Sequence, residues 1–86
     1  MKRFFAKVIV TLKNEVKDNR ALVLDKMLKN LEIEDSASFS TGRFYTFFVS
    51  AIGLSAAREK VEYICKEILS NPVVEKYEIL SIEALK

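Results

Sequence analysis

The stretch Cys65-Lys66-Glu67-Ile68-Leu69-Ser70-Asn71-Pro72-Val73-Val74-Glu75-Lys76-Tyr77 constrains the fold most, because an amphipathic helix meets a proline there and an apolar run follows at once. The residue before a proline is pushed out of the α region, and proline itself has no N–H to donate. Asn71-Pro72 therefore ends the helix and starts an extended segment. Everything upstream has to supply a surface on which that helix and strand can lie. The chain has 86 residues, which is enough for one domain, 1–86, with a modest core. Half of the residues are hydrophobic and only two are Gly and one Pro, so the chain reads as compact rather than disordered.

From Phe4 to Lys13 the residues alternate. Ala6, Val8, Val10 and Leu12 fall on one face, and Phe5, Lys7, Ile9, Thr11 and Lys13 on the other, which is a strand. Asp18 or Asn19 can cap a helix running to about Asn30 or Leu31, with Leu24, Met27, Leu28 and Leu31 as its apolar stripe. Glu32 to Asp35 is an acidic connector. Ser36 to Thr41 alternates again before Gly42, which suits a turn, so a hairpin is expected with a return strand from Arg43 to Ala51. In that strand Phe44, Thr46, Phe48 and Ser50 lie on one side and Tyr45, Phe47, Val49 and Ala51 on the other. Ser55 is a candidate cap for a second helix, whose stripe is Ala57, Val61, Ile64, Cys65, Ile68 and Leu69. After the proline, Val73 to Ile82 reads as a last strand.

The order βαββαβ implies an α+β fold of the ferredoxin-like type: a four-stranded antiparallel sheet with two helices on one face. The other face then carries aromatic and aliphatic side chains with no cover, a patch of the kind that marks an interface. Phe5, Ile9, Tyr45, Phe47 and Val49 are the expected contributors to a homodimer through that face.

The composition offers little for catalysis. There is no histidine, so the usual proton-transfer group near neutral pH is missing. Cys65 is the single cysteine and sits on an apolar stripe, where a thiol packs as a small hydrophobe. One Cys without His makes no ordinary zinc or iron–sulfur site, and the isolated Gly42 and Gly53 form no phosphate-cradling loop. No cofactor is expected. The net charge of +2 comes from 14 basic and 12 acidic residues scattered along the chain, so no block would hold a polyanion. Lys7 and Lys13 interrupt the apolar N-terminal run, which leaves no membrane span or signal pattern. The expectation is a soluble cytoplasmic protein.

Cys65-x-x-Ile68-Leu69-x-Asn71-Pro72-Val73-Val74-Glu75-x-Tyr77 resembles the carboxy-terminal signature of PurS, the small subunit of phosphoribosylformylglycinamidine (FGAM) synthase, close to C-x-x-L-L-A-N-P-V-I-E-x-Y. Leu12-Lys13-x-x-Val16-x-Asp18 is similar to that family's L-K-x-x-V-x-D-P-x-G. Asn19 and Ala21 replace the proline and glycine, and Ser40 stands where the hairpin V-R-x-G-K has arginine. The resemblance implies a non-catalytic assembly subunit, a homodimer or tetramer. Such a subunit holds the ATP-dependent synthetase (PurL-like) and the glutaminase (PurQ-like) together in purine biosynthesis and assists ammonia transfer. Asp18 and Arg43 are candidates for contact with those larger subunits. Two readings from other classes stand beside it: an RRM-like RNA-binding module using Phe44 to Val49, and an ACT-like domain binding a small ligand at a dimer seam. The favoured reading has neither a nucleic acid nor a membrane partner.

Overall fold

The computed structural model describes residues 1–33 and 39–85. β1 spans Lys2–Leu12, α1 Asn19–Asn30, β2 Gly42–Ala51, α2 Leu54–Ile64 and β3 Glu75–Ala84. A π-helical turn over Cys65–Leu69 continues α2. Among the described residues this is an α+β fold with two helices and one three-stranded antiparallel sheet in the order β2-β1-β3.

The expected fourth strand is not seen. Residues 36–38 of it, with Glu34 and Asp35 of the acidic connector, lie outside the described residues, and Phe39, Ser40 and Thr41 join no strand. Their donors are used elsewhere. The Thr41 N–H donates to Asp18 Oδ2 at 2.9 Å and the Phe39 N–H to Asp25 Oδ1 at 3.1 Å, so this segment is bound to α1 and not to a neighbouring strand.

β1 is the central strand, and its alternation is what the sheet is built on. Phe4, Ala6, Val8 and Val10 are all at most 3% exposed, and they face α2. The antiparallel register sets Phe4 against Val49, Ala6 against Phe47 and Val8 against Tyr45 on that face. Phe5 pairs with Phe48 and Ile9 with Phe44 on the opposite one. β3 pairs along the other edge of β1, with an irregularity between Lys7 and Val8. Gly42 opens β2 in extended backbone and not in a turn. A Cβ there would stand 2.7 Å from the Val10 carbonyl oxygen and 2.8 Å from Thr11 Cγ2, so glycine is required by close approach.

Among the described residues, α2 is the one helix that covers the sheet. Ala57, Val61 and Cys65 are fully buried against Ala6, Val8 and Ala51, and the small side chains at Ala6, Ala51 and Ala57 let the helix lie close. The helix starts one residue before the expected Ser55 cap, with Gly53 preceding it and no side chain bonded to its free donors. Past Ile64 the helix widens: the Ser70 N–H donates to the Cys65 carbonyl, five residues back. The extra residue in that turn rotates the stripe, so Leu69 packs on the core while Ile68, expected inside, is 72% exposed.

The arrangement expected, both helices on one face, is not what forms. α1 is amphipathic as read, and Asp18 caps it by accepting from the Ala21 N–H at 3.0 Å. Yet among the described residues it packs along neither the sheet nor α2, and Ala21 is its one buried residue. The molecule is 54 Å long and 14 Å thick. α1 is held to the rest of the described chain through the Asp18–Thr41 and Asp25–Phe39 hydrogen bonds.

Candidate functional site

The end of β1, the start of α1, the start of β2 and the turn before β3 meet around a shallow cleft of about 330 Å³. Both stretches that carried the family resemblance arrive here. The Lys13 N–H donates to the Val74 carbonyl at 2.9 Å, and Leu12 pairs with Glu75 where β3 begins. Asp18, Thr41, Arg43 and Glu75 line the cleft, together with Lys17 and Arg20.

Asn71-Pro72 does not pass straight into the strand. The Val74 and Glu75 N–H groups donate to the Asn71 carbonyl, at 3.1 and 2.7 Å, and the Val73 N–H donates to Asn71 Oδ1 at 3.1 Å. Glu75 Oε1 in turn accepts from the Asn71 N–H at 2.8 Å. The Glu75 side chain therefore satisfies the Asn71 N–H and the Asn71 side chain the Val73 N–H within the turn, and β3 starts at Glu75 instead of Val73. The other oxygen of Glu75 accepts from Arg43 Nη2 at 2.6 Å, while the same guanidinium nitrogen donates to the Leu69 carbonyl at 3.2 Å. Arg43 thus ties β2 to the end of the second helix and to the turn. Its side chain is still 49% exposed, so the pair adds little stability and leaves one side of the guanidinium facing solvent.

Asp18 is more fully engaged. Besides the Ala21 N–H, its carboxylate accepts from the Thr41 N–H and from Thr41 Oγ1, at 3.0 and 3.1 Å to the two oxygens. Those donors, the Ala21 N–H first and the Thr41 N–H next, hold its carboxyl below the ordinary value of 3.8. It latches the start of α1 to the start of β2. Thr41, Asn71 and Glu75 were not singled out by sequence reasoning as site residues. Glu75 and Asn71 were legible in the N-P-V-V-E run, but Thr41 carries no local signal.

The residues expected at a dimer face divide between two surfaces. Phe5 and Ile9 lie on the open face, where Phe5 and Phe48 rings stand 5.1 Å apart and the Arg3 guanidinium lies 4.7 Å from the Phe48 ring centre. Phe44 and Phe48 there are 59% and 52% exposed. Tyr45, Phe47 and Val49 sit on the opposite, helix-bearing face and pack against the core. A single face cannot hold all five, because the register alternates them. Cys65 is fully buried; burial pushes its thiol up, and the Glu62 carboxylate adds to that, so it stays protonated and inert. Among the described residues no group of His, Cys, Asp and Glu is placed to hold a metal, and no helix is long and apolar enough to cross a membrane.

Residues 5–83 match the family described as PurS, phosphoribosylformylglycinamidine (FGAM) synthase. A curated relative, the PurS subunit of that synthase from Methanocaldococcus jannaschii, is 28% identical over 74 residues, covering 86% of this chain and 89% of the relative. The crystal structure of Methanocaldococcus jannaschii PurS superposes with a TM-score of 0.83 at 26% identity, over 96% of this chain and 99% of that one. A chain in the structure of PurLQS from Thermotoga maritima does so with a TM-score of 0.83 at 28% identity, over 99% and 100%.

Proposed function

The chain belongs to the PurS family of FGAM synthase, and from that premise we infer that it is the non-catalytic accessory subunit of this ligase, acting in purine biosynthesis. It docks the glutaminase subunit on the ATP-dependent synthetase subunit and assists the passage of ammonia between them. A place in the cytoplasm goes with that role.

One observation carries the reading. The two segments that most resemble the family are joined by the Lys13–Val74 hydrogen bond at one end of the molecule, beside a cleft in which Arg43 keeps a side to solvent while Asp18 and Glu75 are hydrogen-bonded within the chain. Docking needs a fixed polar surface with a free donor face, and reaction chemistry needs a nucleophile or a proton-transfer group. The cleft has the first, and its two carboxylates, Asp18 and Glu75, are taken up by hydrogen bonds that hold the fold. Arg43 is the residue for contact with a larger subunit, and Asp18 acts by holding α1 and β2 in place around it. The open face, with Phe5, Ile9, Phe44 and Phe48, gives the second surface that a bridging subunit requires. A homodimer uses the helix-bearing face, where Tyr45, Phe47 and Val49 lie. The four-stranded form would need the segment before β2 to pair along the outer edge of β2, which is unpaired among the described residues.

Co-purification of the tagged chain with the glutaminase and the synthetase, in the presence of ADP and glutamine, tests this. Both partners are expected in the wild-type eluate, and Arg43→Glu is expected to lose at least one of them while keeping its fold by circular dichroism. Recovery of neither partner with the wild-type chain overturns the reading.

A further inference from the structure

The charges that line the cleft are not equally spent. Asp18 and Glu75 are used within the chain: Asp18 accepts from the Ala21 N–H and from Thr41, and Glu75 from the Asn71 N–H and from Arg43. Lys17 and Arg20 also line the cleft, are exposed, and make no ion pair or side-chain hydrogen bond among the described residues. Arg43 gives its own chain one nitrogen. Nη2 serves both Glu75 and the Leu69 carbonyl, which leaves Nε and Nη1 as donors on a side chain that is 49% exposed. Those two bonds hold the guanidinium in place, with the centre of the Tyr45 ring 6.0 Å from its carbon. Lys17, Arg20 and Arg43 thus surround a cleft of about 330 Å³ whose own carboxylates are occupied.

The walls narrow what can enter. A phosphate group bound at a helix start uses the free N–H groups of the first turn, and here Asp18 already takes the Ala21 N–H. Gly42 opens a strand in extended backbone and supplies no cradle. Two carboxylates in the walls also repel a dianion more strongly than a monoanion. A carboxylate is planar, singly charged and matched in spacing to the guanidinium fork. We propose that the cleft is a carboxylate-receiving site: an Asp or Glu side chain on an exposed acidic segment of one of the two larger subunits takes the free donors of Arg43, flanked by Lys17 and Arg20. The inference rests on the accessory-subunit reading and names the chemistry of its contact.

Surface plasmon resonance of the chain with the two larger subunits, in ADP and glutamine and at rising KCl, tests it. The association rate is expected to fall about ten-fold with salt. Lys17→Gln/Arg20→Gln is expected to lower it about ten-fold at low salt and to flatten that dependence, with an unchanged circular dichroism spectrum. Lys26→Gln/Lys29→Gln removes the same charge from exposed positions of α1 outside the cleft, and is expected to change the rate less than about two-fold. A complex that forms at the wild-type rate with the cleft variant, or that both pairs slow equally, overturns the site and leaves the accessory reading standing. Calorimetry of the chain alone with inorganic phosphate and with ADP is expected to show no binding tighter than about 1 mM. Tighter binding that the cleft variant loses makes the occupant a phosphate group and overturns the carboxylate. A wild-type chain that binds neither subunit overturns the site and the reading together.

Discussion

α1 and α2 are nearly the same length, twelve and eleven residues, and each carries an apolar stripe at helical spacing, but they end in opposite situations. α2 is tied at one end to β2 through Ile52 and Gly53 and at the other, past the π-helical turn, to β3 through the Asn71–Glu75 turn, so it must cross the sheet and bury Ala57, Val61 and Cys65. α1 is tied to its own molecule at the Asp18 latch and along the Phe39–Thr41 segment, and it leaves Val23, Met27 and Leu31 to solvent. The lesson is that an amphipathic pattern declares that a face will be buried. Whether it is buried within the chain is decided by the connections.

The comparison is broken most severely in the core of α2 and the sheet. Val8→Ala removes two methyl groups from a fully buried site and is expected to cost about 2–3 kcal/mol in urea unfolding. Met27→Ala in α1, where the side chain is 54% exposed, is expected to cost less than about 0.5 kcal/mol. An equal loss from both would mean that α1 is packed within its own chain.

Gly42→Ala comes next. Its Cβ would collide with the backbone of β1, so a loss of about 1–3 kcal/mol is expected from the displaced β1–β2 register, again by urea unfolding. A neutral result would show that β2 starts elsewhere. The latch gives a smaller and pH-dependent effect. Because the Asp18 carboxyl lies below 3.8 when folded, its contribution is fully present above the unfolded value and fades as the pH falls through the lower folded one. Wild type and Asp18→Asn should therefore differ in Tm at pH 7 and converge toward pH 2. A constant gap would remove ionisation from the latch.

The smallest effect is at the far end of α1. The Glu32 N–H donates to the Lys29 carbonyl and the Ile33 N–H to that of Leu28, which closes the helix with Glu32 at φ 61°, a conformation that favours glycine. Glu32→Gly is expected to stabilise α1 by about 0.5–1 kcal/mol, seen as a small rise in Tm. No gain would place the end of α1 differently.

Much of this was legible from residues alone, and the failures share a cause. The alternation in β1 identified its buried face, and the resemblance at Asn71-Pro72 led to the family. β2 is apolar on both sides, so periodicity could not tell which side faces α2, and Tyr45, Phe47 and Val49 were grouped with Phe5 and Ile9 until the register separated them. Ser36 to Thr41 reads as a strand by alternation, but of its described residues, 39–41, Thr41 is held by a carboxylate twenty-three residues away and joins no strand. Ile68 fitted an α-helical stripe that the π-helical turn then rotated. In each case a long-range or backbone event overrode a pattern that was locally correct.

The central claim is that this chain brings two larger subunits together and does no chemistry itself. The direct measurement is FGAM formation by the synthetase and glutaminase subunits with and without the chain, using glutamine or, as a control, free ammonia as the nitrogen source. The account predicts that the glutamine-dependent rate collapses without the chain while the ammonia-dependent rate is unchanged. A full glutamine-dependent rate in its absence would contradict it.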